Sequence, residues 1–203
     1  MKGSGIRVTK DGEVAPTVYV QPVSVITHVD VDGTNKVNPP PRAPEAFSTR
    51  FYVGMTDANF VAHFTTTDTL QIKLGQLAMS KGTDLRVKAY GDTLVRDHNH
   101  MLQEVLERQP EVGSVPLSND QVIKRQRFII EELTDKPAGK AWDTAFIQYQ
   151  FFFHQNQLEV IATGHENMQD RKLKHEMDES IPVITHHREM ARDIATALSI
   201  NLP

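Results

Sequence analysis

The amino-acid sequence predicts an all-α protein, a four-helix bundle with one short connecting helix, preceded by an extended N-terminal arm. Three observations carry this prediction. From Asp57 onward, apolar residues recur every three or four positions, the period of a helix buried along one side. Gly82, Pro110, Gly139 and their neighbours cut that region into segments of bundle length. Residues 1–50 differ in kind, with six of the eleven prolines and β-branched residues in alternation.

In the arm, residues 17–20 and 23–31 read as short strands, interrupted by Pro22 and closed by the turn signal Asp32-Gly33. A single hairpin is marginal alone, so the arm is expected to pack on the main domain or on a neighbouring subunit. Residues 38–44, with four prolines, form a stiff linker. Asp30-Val31-Asp32-Gly33 resembles the start of a calcium loop, but Pro41 occupies the place of its bidentate carboxylate, and the segment is read as a turn.

The bundle is assigned to residues 51–203. Asp57 is placed to cap a first helix carrying Phe60, Phe64, Thr67, Leu70, Leu74 and Ala78, which ends near Gly82. Asp84 caps a second, with Val87, Tyr90, Leu94, Met101 and Val105 as its stripe, expected to stop at Pro110. A short amphipathic helix from about Ser118 to Leu133 reads as a connector. A strongly apolar helix follows from about Ala141 to Thr163, through Trp142, Phe146, Phe151, Phe153 and Ile161. The last helical region, about Asn167 to Ser199, contains Pro182, which predicts a kink or a restart.

Composition narrows the function. Net charge is −4, from 26 acids and 22 bases, without the basic surplus that binds nucleic acid. There is no cysteine, hence no disulfide, thiolate metal site or cysteine nucleophile. No run approaches the roughly 18 apolar residues of a membrane span, and residues 1–20 lack the core of a signal peptide. The chain is therefore expected to be cytoplasmic or the mature form of an exported protein.

Three of the nine histidines, His98, His154 and His187, lie on apolar stripes of different helices. They point inward and can converge, as metal sites in bundle cores do. Two readings stay open. Three imidazoles can hold one transition metal ion, zinc, copper or iron, with Gln71 or Asp97 nearby. Alternatively they are core histidines hydrogen-bonded to one another, to Gln71 or to the Asp178 carbonyl freed by Pro182. The scarcity of carboxylates favours the second. His28, His63, His100, His165, His175 and His186 read as surface or loop residues.

The order of motifs resembles a bacterial family, "domain of unknown function 4142", over about residues 57–198. The resemblance rests on residues 70–78, on Val95-Arg96-Asp97-His98, on Trp142-Asp143 followed by Phe146, Gln150 and His154, and on residues 181–187 with Ala191. It implies a ferritin-like four-helix bundle, exported to the periplasm, with no established activity, and places recurring polar residues at Gln71, Asp97, His98, His154 and His187. Gln71 departs from the glutamate usual there, so the first helix is expected to lack an anionic oxygen. The arm has no counterpart in the family pattern.

Chemistry beyond binding finds little support. No Glu-x-x-His occurs, against ferroxidase activity, and neither a nucleophile elbow nor a phosphate loop is present. Two functions remain: an exported ferritin-like bundle binding one transition metal without catalysis, or an assembly subunit whose residues 1–50 dock on another protein or on a second copy.

Overall fold

The computed structural model describes residues 52–117 and 120–202. The strand arm and linker predicted over residues 1–50 lie outside the described residues, as does Ser118. The rest is helical: α1 Asp57–Lys81, α2 Leu85–Val112, α3 Gln121–Asp135, α4 Lys140–Gly164 and α5 Arg171–Ala197, with a 3-10 turn at His165–Asn167. Among the described residues there is no strand.

Helix boundaries follow local chemistry, with three corrections. Thr56, not Asp57, caps α1: its hydroxyl accepts from the Asn59 amide while the Asn59 side chain accepts from the Thr56 amide. Asp57 instead accepts the amides of Gln169 and Asp170, tying α1 to the start of α5. Helix α2 runs past Pro110 and ends at Gly113, whose φ of 83° suits a residue without Cβ. Helix α5 runs through Pro182 without restarting. Pro182 and Asp178 are both exposed, so water can take the carbonyl that the ring leaves unpaired.

Loop contacts set the directions of the helices. Helices α1 and α2 form an antiparallel hairpin, and Val115 after α2 donates to the Ala58 carbonyl at the start of α1. Helix α3 then travels back along α1. Its C-terminal carbonyls, Leu133 and Thr134, and that of Lys136 beyond it accept from the Lys81 ammonium at the end of α1. Helix α4 starts at that end, where the Asp143 carboxylate accepts from the amides of Thr83 and Asp84, each at 3.0 Å, and from the Thr83 hydroxyl. Trp142 beside it donates to the Leu133 carbonyl at 2.8 Å. So α2 and α4 run parallel, joined by one long crossover through α3, the connectivity of a ferritin-like bundle.

Where α1 crosses α2, Gly75 faces Gly91. A Cβ on either would lie 2.6 Å from the other's carbonyl oxygen. No rotamer change relieves a clash with backbone, so Gly91→Ala must push the helices apart. We expect Gly91→Ala to destabilise the protein by about 1–3 kcal/mol, measured by denaturant unfolding, even though alanine in a helix gains roughly 1 kcal/mol over glycine. An unchanged midpoint would show that the crossing yields easily.

The core is divided. One apolar cluster fills the end built from Phe60, Phe64, Met101, Phe153, Met177 and Ile184. Another fills the opposite end with Leu74, Leu94, Trp142, Phe146, Ala191 and Ile194. Between them each of the four long helices contributes buried polar side chains: Asp68 and Gln71 from α1, His98 from α2, Gln150 and His154 from α4, His187 from α5.

Candidate metal centre

The polar layer brings the three predicted histidines together. One ring nitrogen of each lies within 4.8 Å of the others. Three points so spaced share a centre within about 2.8 Å of each, compatible with metal–nitrogen bonds near 2 Å after small side-chain shifts. His98 and His154 meet Nε2 to Nε2 at 3.5 Å, with ring centroids 5.8 Å apart. The ring centroids of His187 stand 5.2 Å from His98 and 5.1 Å from His154. All three side chains are buried.

Each imidazole is held from behind by an oxygen. His98 Nδ1 lies 2.9 Å from Asp68 Oδ1, His154 Nδ1 lies 2.8 Å from the Gln150 carbonyl, and His187 Nε2 lies 3.0 Å from Asp97 Oδ2. With each outer nitrogen donating to its oxygen, the nitrogens left with lone pairs are Nε2 of His98, Nε2 of His154 and Nδ1 of His187. Tyr90 fixes the backbone of the third by donating its hydroxyl to the His187 carbonyl at 2.9 Å.

Electrostatics keep the rings neutral. Burial lowers the pKa of His98 to about 3 and that of His154 well below its usual value. Burial, with His98 nearby, lowers His187 to about 4. Neutral imidazoles present lone pairs at ordinary pH, the form a metal needs. Asp97 feels burial pushing it up, but hydrogen bonds from Arg96 and His187 hold its carboxyl below the usual range. Burial drives Asp68 the other way, well above that range.

The layer carries polar atoms without hydrogen-bond partners among the described residues: Asp68 Oδ2, both amide atoms of Gln71 and of Gln150, and His187 Nδ1. Each such atom costs on the order of 1–3 kcal/mol when buried unpaired. An ion with its bound water would satisfy several at once.

Of the residues singled out from sequence, His98, His154 and His187 converge. Asp97 reaches the centre through the back of His187, and Gln71 belongs to the same layer. Asp68 was missed: it places a buried carboxyl, backing His98, on the first helix one turn before Gln71. The hydrogen bonds proposed for the histidines to Gln71 or to the Asp178 carbonyl do not form. His63, read as a surface residue, is buried, with Nδ1 2.5 Å from Asp120 and Nε2 3.3 Å from Gln157, and Tyr52 donates to the same Asp120. That network joins the residues before α1 to the N-terminus of α3.

Toward the Asp170 end, Glu176 on α5 faces an acidic neighbourhood. Burial raises its carboxyl to about 7, Arg108 opposes this, and Glu104, Asp170 and Glu107 add to it. Since the folded value exceeds the ordinary 4.5, the folded protein binds more protons than the unfolded chain between roughly pH 4.5 and 7, and stability falls as pH rises through that window. We expect Glu176→Gln to flatten this slope in thermal melts at several pH values. At this exposure the effect is less than about 1 kcal/mol, and an unchanged slope would contradict it.

A family model described as "Domain of unknown function (DUF4142)" matches residues 41–194. The match begins within the Pro-rich linker, earlier than the motifs around Asp57. Neither the curated proteins nor the solved structures contain a significant match to the chain.

Proposed function

We propose, from the premise that this chain belongs to the DUF4142 family, that it is a metal-binding helical bundle that holds one divalent transition metal ion in its core. The supporting observation is the arrangement of three buried imidazoles, each backed by an oxygen on its outer nitrogen and each left with an inward lone pair. His98 Nε2, His154 Nε2 and His187 Nδ1 are the ligands in this reading. Asp68 and Asp97 orient two of them, and a cation on His98 favours the ionised form of Asp68 that burial alone disfavours. Three nitrogens leave a fourth position for water or for an amide oxygen of Gln71 or Gln150.

Neutral nitrogen donors select the zinc and copper end of the first transition row over magnesium or calcium. The role is binding, with no catalytic group assigned. An extracytoplasmic site of action belongs to this reading and rests on the family resemblance; no helix of the described residues is long and apolar enough to cross a membrane. Elemental analysis of natively purified protein, repeated after zinc loading and gel filtration, tests the proposal. About one metal per chain is expected from three ligands converging on one point; less than about 0.2 per chain after loading would end it.

A further inference from the structure

A narrow cavity separates α1, α2 and α5 just beyond the histidine layer. It is lined by Asp68, Met101, Glu104 and Glu176, among others, and its volume of about 10 Å³ admits roughly one water molecule or a bare ion. Glu104 and Glu176 are half-buried at its outer part, whereas Asp68 is 3% exposed. Asp68 uses one oxygen on His98 Nδ1. Its other oxygen, Oδ2, is buried without a hydrogen-bond partner among the described residues. Glu176 Oε2 is likewise buried and unpartnered.

We infer that Glu104, Glu176 and Asp68 form a cation access route, in which the two glutamates collect a hydrated divalent ion and Asp68 passes it to the histidines. This rests on the metal-binding reading above and adds how the ion arrives. The chemistry runs in one direction along the cavity. A hydrated cation meets carboxylates first, which replace its waters one at a time. It then meets Asp68 Oδ2 on the same carboxylate whose other oxygen orients His98, so the last oxygen partner lies beside the first nitrogen ligand. The mutual electrostatic effect of Glu176, Glu104, Glu107 and Asp170 marks this end of the bundle as a region of concentrated negative charge, only partly offset by Arg108. Such focusing raises the encounter rate of a cation by tenfold or more, and salt weakens it.

An access route and a ligand set differ kinetically. Residues that serve the route alone, here Glu104 and Glu176, change the rates of uptake and release together and leave the equilibrium nearly alone, whereas Asp68 also backs a ligand. Ligands change the equilibrium mainly through release. The experiment is stopped-flow uptake of zinc by the full chain with a chromophoric indicator at about pH 8, and release to excess chelator, for wild type and for E104Q/E176Q. The isosteric amides keep the shape of both side chains, and circular dichroism checks the fold. We expect the variant's uptake rate to fall about tenfold or more, release to fall in proportion, and Kd to stay within about threefold. Wild-type uptake should slow with ionic strength, and the variant's should slow less, since Glu107 and Asp170 remain. Uptake within about twofold of wild type, or a weaker Kd carried wholly by faster release, would overturn the route while leaving the histidine site intact. A wild type that takes up no zinc would overturn both.

Discussion

We expect His154→Leu to abolish stabilisation of the protein by zinc and to leave the metal-free chain folded. His154 contributes an Nε2 3.5 Å from that of His98, and its loss leaves two nitrogens where three converge. A ligand present at a hundredfold its Kd stabilises the native state by about 2.7 kcal/mol. For a chain of this size that is on the order of 5–10 °C in Tm. The wild type should show such a rise on zinc addition and the variant none. The same variant separates the two readings of the histidines. If the triad serves to bind an ion, replacing an imidazole by an apolar side chain relieves the burden of a buried polar layer, and the metal-free Tm holds or rises. If the triad serves to hold helices together, the metal-free Tm drops by several degrees, and zinc changes neither protein.

We expect Asp68→Asn to weaken zinc binding by about 10–100-fold, the usual consequence of disturbing a carboxylate that backs a metal-bound histidine. Asparagine still accepts from His98 Nδ1, so the ring keeps its position. What is lost is the negative charge that makes Nε2 a better donor and offsets the charge of the ion. Competition with a chromophoric chelator measures the change. Affinity within a factor of about two of wild type would reduce Asp68 to a packing residue.

The helices were legible because their period and their glycine and proline punctuation are local properties. The ferritin-like connectivity was reached through the motif resemblance and then stands on the contacts of Lys81 and Asp143, which no periodicity displays. Trp142-Asp143 illustrates the difference: the pair was visible as a motif, but its work, closing the Thr83 loop and meeting the end of α3, depends on residues about 60 and 9 positions away. The three histidines were legible from their place on apolar stripes. Asp68 was not legible in the same way, because the motif resemblance marks Gln71, one turn later, as the polar position of the first helix. A signal was there: Asp68 follows Phe64 by four residues on the buried face of α1. His63 was misread because a histidine beside Phe64 looks lateral until α3 folds back and supplies Asp120. The arm of residues 1–50, and any assembly role it carries, lies outside the described residues.

Because a polar layer divides the apolar core into two clusters, the bundle of described residues resembles two short half-bundles stacked end to end along the same four helices. Hydrophobic burial knits each half internally and crosses the seam at the half-buried Tyr149, which packs against both clusters. Cooperativity between the halves then passes through the helix backbones, through Tyr149 and through whatever fills the layer. An ion at the triad would rivet the halves into one exchange-protected unit, whereas without one each half is placed to open on its own schedule.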